Sequence, residues 1–265
     1  MSGRTSLDAG ARPWALLLTG IGLTAAVALR AVPSLEAHFR VISGLGVTTA
    51  EDAVVLLDAA GVEHAHIVGL SFGGAIAQEI AIRHPERVRS LVLGSSTAGG
   101  KLYAAPERRI RQFVRRLADL PAEEGLWATV PYLYVETTYQ RHASLIGEDI
   151  ARRLSSPLDP RSYRAQHSIA RGHDTSTRLA AITAPTLVMH GEDDRILPLE
   201  NGRLLTGAIP GAQFIALENG GHAFPTDVPG ASRELVSFLL AHSPARARPA
   251  TQSRAAARNA RAGRA

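Results

Sequence analysis

The chain has 265 residues, 45% of them apolar, with 24 glycines and 15 prolines, which suits one globular domain or a core domain carrying an insertion and leaves two independent domains cramped. It contains no cysteine, which excludes disulfides, thiolate metal sites and a cysteine nucleophile. The formal charge of +5 resides in the end of the chain: from Ser243 onward Arg246, Arg248, Arg254, Arg258, Arg261 and Arg264 meet no acidic residue, and +5 minus six leaves about −1 for the rest.

In chain order, residues 1–13 form a short N-terminal segment. Arg4 and Arg12 precede the apolar run from Trp14 to Leu29, a layout shared by signal peptides and anchors over residues 1–30. The run is shorter than the ~20 residues a bilayer requires and is broken by Thr19-Gly20-Ile21-Gly22, so it reads as a buried strand and a loop, with a cytoplasmic location and no membrane partner. Further short apolar runs give strands at Arg40–Ile42, His66–Val68, Ser90–Leu93, Thr186–Met189 and Gln213–Leu217. Between the second and third strands, Thr48 and Glu51 suggest a capping box, Val54, Leu56, Leu57 and Ala60 an apolar face, and Gly61 a stop. Another helix follows Ser71 and runs to about His84, where Pro85 ends it. Helices Glu200–Ala208 and Ala231–Ala241 close the pattern, the latter with Leu235, Phe238 and Leu239 on one face.

Strands alternating with helices predict an α/β fold, a parallel sheet covered on both sides, over residues 14–96 and 185–242. Residues 97–184 break the rhythm with helical stretches at Glu107–Leu117, Leu145–Leu154 and Pro160–Ala170 and no strand, which predicts a helical cap over the carboxyl edge of the sheet. The tail 243–265 lacks apolar anchors and is expected to be disordered and solvated. An arginine-rich arm for RNA, DNA or anionic lipid is the alternative, but no aromatic residue interleaves to stack on bases, and no nucleic-acid partner is expected. Gly20-Ile21-Gly22 and Gly44-Leu45-Gly46 both lack the third glycine of a dinucleotide fingerprint, no P-loop occurs, and no cofactor is implied.

The chemistry-bearing segment is Gly69-Leu70-Ser71-Phe72-Gly73. It follows an apolar strand and opens a helix, the setting in which G-x-S-x-G forms a nucleophile elbow, with small residues allowing a sharp turn that projects the serine hydroxyl. A serine hydroxyl needs a base, and the base an orienting acid. His222, in Asn219-Gly220-Gly221-His222, lies in a glycine turn after the last strand, at the same sheet edge as Ser71. The loop after the fifth strand, Gly191-Glu192-Asp193-Asp194, offers three carboxylates. Asp194 is the chosen acid because a short side chain three residues past Gly191 points back over the sheet; Asp193 is the fallback, and Glu192 reads as a solvated turn residue.

The order Ser71, Asp194, His222, with the elbow, the H-G-x-x-D-x-x-x-P segment His190–Pro198 and the G-G-H segment Gly220–His222, resembles the α/β-hydrolase superfamily over most of residues 14–241. Pro185-Thr186-Leu187-Val188 and Glu200-Asn201-Gly202 look most similar to its small cap-bearing branch of esterases and enol-lactonases of the 3-oxoadipate type. The resemblance implies a serine hydrolase acting on a small carboxylic ester or lactone, with an oxyanion hole formed by the backbone N–H groups of Phe72 and Ile21. Alternatives are a carbon–carbon or amide bond hydrolase with the same triad, or a degenerate member serving as a ligand-binding module. Two departures stand out: the 13 residues before Trp14 leave no room for the usual N-terminal hairpin, and Ser43-Gly44-Leu45-Gly46 replaces a longer loop. A short loop there predicts either a wider pocket or a poorly supported oxyanion turn. Tyr103, Trp127, Tyr132 and Tyr134 are candidate pocket walls or core aromatics.

Overall fold

The computed structural model describes residues 12–157 and 159–244, so the arginine tail from Ala245 and the basic start of the chain, with Arg4, lie outside the described residues. Six strands, β1 (Trp14–Leu18), β2 (Arg40–Ser43), β3 (Ala65–Leu70), β4 (Val88–Gly94), β5 (Thr186–Gly191) and β6 (Gln213–Leu217), form one sheet in the order β2-β1-β3-β4-β5-β6. Every pairing is parallel. All six predicted strands are present, four of them longer than predicted by one to three residues.

Side chains alternate between the two faces of a strand, and two apolar cores result. On one face Ala15, Leu17, Val68, Leu70, Val92 and Met189 meet helices α1 (Leu23–Ala28), α2 (Val32–Glu36) and α12 (Ala231–Ala241). On the other, Leu16, Leu18, Ile67, Leu91, Leu93 and Val188 meet α3 (Ala50–Ala59), α4 (Phe72–Arg83) and α10 (Glu200–Ala208). The apolar run from Trp14 thus folds as a central strand, a turn and a helix, and no helix among the described residues is long and apolar enough to cross a membrane.

The start of α3 differs from expectation by one residue. Thr49, not Thr48, is the N-cap, and it pairs reciprocally with Asp52 rather than Glu51: its side chain accepts from the Asp52 N–H while the Asp52 carboxylate accepts from the Thr49 N–H. Glu51 instead bridges to Arg83 at 2.5 Å. The buried stripe is accordingly Ala50, Ala53 and Leu57, with Ala60 exposed. Gly61 ends the helix at a φ of 67°, letting the Val62 N–H reach back to the Leu57 carbonyl.

Residues 97–184 fold as the expected helical cap, with α5 (Arg108–Arg116), α6 (Ala122–Leu133), α7 (Glu136–Arg141), α8 (Ala143–Leu154) and α9 (Pro160–Gly172). The two ends of the cap meet as a narrow neck in which Gly99 bridges antiparallel to Asp174 and the Thr175 N–H donates to the Ala98 carbonyl. Buried Gln78 of α4 fastens that neck, donating to the Thr97 carbonyl and accepting from the Thr175 hydroxyl at 2.6 Å.

The strand order decides where a site forms. The chain leaves β1 toward β2 but leaves β3 toward β4, in the opposite direction, so the turns after β1 and β3 splay apart and open a crevice at the carboxyl ends of the strands. Thr19–Gly22 and Ser71 flank that crevice, and the cap roofs it.

Candidate active site

Ser71 occupies the sharp turn between β3 and α4 with φ 55° and ψ −118°, a conformation that a non-glycine residue adopts only under constraint. The constraint is visible. The Ser71 N–H donates to the Gly94 carbonyl at 2.8 Å, while its own carbonyl accepts from the Ser96 hydroxyl and the Gly74 N–H, each at 2.9 Å. The flanking glycines are required by contact: a Cβ on Gly69 would stand 2.4 Å from the Gly73 carbonyl oxygen, and one on Gly73 2.2 Å from that of Leu18. The second contact brings the first turn of α4 against the end of β1, and so brings the Phe72 N–H beside the Thr19–Gly22 turn.

His222 follows β6 through Asn219, at a φ of 56°, and two glycines. Gly191 makes this turn possible, since a Cβ there would lie 2.3 Å from the Gly220 carbonyl oxygen. Asp227, in the short helix α11 (Phe224–Asp227), accepts from the Gly221 N–H at 2.8 Å and fixes the loop. The result is a continuous chain of hydrogen bonds: His222 Nε2 lies 2.9 Å from Ser71 Oγ, and His222 Nδ1 lies 2.8 Å from Asp194 Oδ2. Asp194 and His222 are 5% and 1% exposed, whereas Asp193 and Glu192 are exposed and bring no carboxylate to this chain.

Asp194 is held from every side. Its Oδ1 accepts the N–H groups of Ile196 and Leu197 at 2.9 and 2.8 Å, and its Oδ2 lies 3.2 Å from His190 Nε2 as well as near His222. Burial opposes ionisation, but the charge on His222 and hydrogen bonds from His190 and His222 outweigh it and hold the carboxyl well below the usual carboxylate range. Since the ionised carboxylate only accepts, Nδ1 of His222 is the donor and Nε2 is the basic nitrogen facing Ser71. His190 is the addition here: its fully buried ring sits 2.7 Å from the Leu197 carbonyl through the same Nε2.

A cavity of about 670 Å³ lies under the cap, with Ile21, Gly22, Ser71, Phe72 and His222 in its floor. Phe72 opens α4, so its N–H has no carbonyl one turn back in the helix and is free for a ligand. Of the four aromatic candidates, only Tyr103 lines this cavity. Tyr134 is buried and donates to Asp149, Tyr132 stacks on Phe113, and Trp127 is half exposed outside the cavity. The cap instead supplies Phe113, Tyr163, His167 and Arg153. The short loop after β2 stays folded against β1, the Gly44 N–H donating to the Leu17 carbonyl, and Leu45 and Val47 border a separate hollow of about 100 Å³ beside Thr19 and Gly20.

A doubly wound sheet, a helical cap and a hydrogen-bonded serine–histidine–aspartate chain at the strand ends define an α/β-hydrolase. The alpha/beta hydrolase fold family model matches residues 46–227, and the chain belongs to that family and is a hydrolase. It is 31% identical over 194 residues to the "Putative carbamate hydrolase RutD" of Variovorax paradoxus, covering 72% of this chain and 71% of that one. It is 33% identical over 180 residues to the 2-hydroxy-6-oxo-6-phenylhexa-2,4-dienoate hydrolase of Comamonas testosteroni, covering 67% and 63%. Among solved structures, a thermophilic esterase from Thermogutta terrifontis superposes with a TM-score of 0.71 at 25% identity, over 89% of this chain and 92% of that one.

Proposed function

We propose that the chain cleaves a small carboxylic ester or lactone by acyl transfer through Ser71, His222 and Asp194. The observation that carries this reading is the hydrogen-bonded line from Ser71 Oγ through His222 to Asp194 at the floor of a capped cavity. Ser71 Oγ adds to the carbonyl carbon while His222 Nε2 takes its proton; Asp194 holds the imidazole in the productive tautomer and balances the imidazolium. The negative oxygen is stabilised by the N–H groups of Phe72 and Ile21. Collapse expels the alcohol, protonated by His222, and leaves an acyl-serine. Water, deprotonated by His222, then adds to the acyl carbon and releases the acid and Ser71.

Hydrolysis of p-nitrophenyl esters by the chain and by Ser71→Ala tests this. The substitution is expected to cut turnover by roughly 10³-fold or more with an unchanged melting curve; undiminished turnover contradicts it. The likeness to a hydrolase named for 2-hydroxy-6-oxo-6-phenylhexa-2,4-dienoate favours a second reading, cleavage of a carbon–carbon bond beside a ketone by the same three residues. A panel pairing esters with such ketones distinguishes the two.

A further inference from the structure

The charge lining the cavity is one-sided. Arg111, Arg115, Arg153 and Arg171 border it, and no aspartate or glutamate among the described residues does. Three of these arginines are exposed, where water satisfies them. Arg153 is 9% exposed.

Arg153 closes the last turn of α8, and its neighbours show what arginines on this helix ordinarily do. Arg152 pairs with Asp149 at 3.2 Å, and Arg30 reaches across from the core to the same carboxylate at 2.6 Å and to Glu148. Those pairs use up the acids of α8. Arg153 has no carboxylate within salt-bridge reach among the described residues, and its guanidinium gives one N–H to the Ser156 carbonyl. A guanidinium carries five N–H donors, and burying its charge without an anion is costly. Burial accordingly lowers its pKa.

Its location ties it to Ser71. Arg153 borders both the large cavity and the small hollow beside Thr19, Gly20 and Gly22, so it stands over the turn that carries the Ile21 N–H. Tyr163 packs over that turn too, 3.4 Å from where a Gly22 Cβ would lie.

We propose that Arg153 is the anchor for a carboxylate carried by the substrate, so that the natural ester or lactone is an anion. This rests on the reading of Ser71 as nucleophile. A buried planar fork with one N–H on a carbonyl and no carboxylate partner among the described residues matches a carboxylate in bidentate fashion, and exposed Arg111, Arg115 and Arg171 attract the anion to the cavity.

Two matched pairs of substrates test the proposal on the unaltered chain: mono-p-nitrophenyl glutarate against its methyl ester, and 4-acetoxybenzoate against its methyl ester. The first pair puts the carboxylate on the acyl side, the second on the leaving group. At least one charged member is expected to be preferred in kcat/KM by roughly 10- to 100-fold. Arg153→Gln should bring that ratio close to one, chiefly through KM, and Arg153→Lys should restore part of it. No preference in either pair, or a preference that survives Arg153→Gln, overturns the proposal. Calorimetric titration of glutarate into Ser71→Ala separates this inference from the hydrolase reading. If neither pair turns over, the role of Ser71 fails, and the titration alone decides: glutarate binding lost in the Ser71→Ala, Arg153→Gln double variant upholds the anion site, and absence of binding overturns it. Should Arg153→Gln fail to fold, Arg153→Lys and the charge preference of the unaltered chain decide.

Discussion

Asp194 shows how much of the site depends on single atoms. One of its oxygens is consumed by the backbone N–H groups of Ile196 and Leu197, which leaves the other aimed at His222. Its lowered pKa also contributes to stability: that contribution is complete above the unfolded value near 3.9 and is lost only as pH falls through the lower folded value. Asp194→Asn keeps the shape but offers an N–H toward Nδ1, which turns the imidazole into the wrong tautomer. Turnover of a p-nitrophenyl ester should fall by roughly 10⁴-fold, as a serine-protease triad loses on the same change; a loss smaller than tenfold would show that Asp194 does not orient His222. That Asp194, rather than its two acidic neighbours, lies beside His222 was legible in the sequence from its place three residues past Gly191. The part played by His190 was not, because it depends on the loop folding back until Asp194 and the Leu197 carbonyl both reach its Nε2.

Among the elements, the elbow is held by contact rather than by propensity. Gly73→Ala places a methyl group 2.2 Å from the Leu18 carbonyl oxygen, and backbone cannot step aside as a side chain can. Gly61→Ala instead meets a positive φ that glycine favours, with open space around the added methyl group. Denaturant unfolding should therefore show a loss above about 3 kcal/mol for the first and about 1 kcal/mol for the second; equal losses would mean that the close approach of α4 to β1 is not what fixes the elbow. The same elements show where sequence was informative. Central strands carry unbroken apolar runs and were visible, whereas α6 was hidden by Gly125 and the interior Pro131, which argue against a helix locally. On α8 the buried positions Ile146, Asp149, Ile150 and Arg153 follow the helical period, so a charged residue on an apolar stripe was the available signal for the anion site.

Across the whole molecule, two histidines, one buried in the core and one half-buried at the cavity, make stability depend on pH. His66 lies in the core between the Ser90 and Ser243 hydroxyls at 2.8 and 3.0 Å, and burial, reinforced by the Arg89 and His242 charges, lowers its pKa to about 4. His167 in the cap is lowered to about 4 by burial and Arg171. Between the unfolded value near 6.5 and about 4 the unfolded chain binds protons at these two positions that the folded chain refuses, so their contribution to stability is full above that window and falls as pH drops through it. The slope should reach about 1.4 kcal/mol per pH unit for each histidine. His66→Gln should reduce the measured slope by one proton's worth; an unchanged slope would mean that His66 takes up its proton in the folded state.

The switch between β1 and β3, beneath the cap, places Ser71 at the centre of the proposed chemistry. Reaction with a fluorophosphonate, followed by mass spectrometry of the digested protein, measures its reactivity directly. A single phosphonyl adduct is expected on the peptide containing Ser71, absent from Ser71→Ala and strongly slowed in His222→Gln. No adduct, or an adduct on another residue that persists in Ser71→Ala, would contradict it.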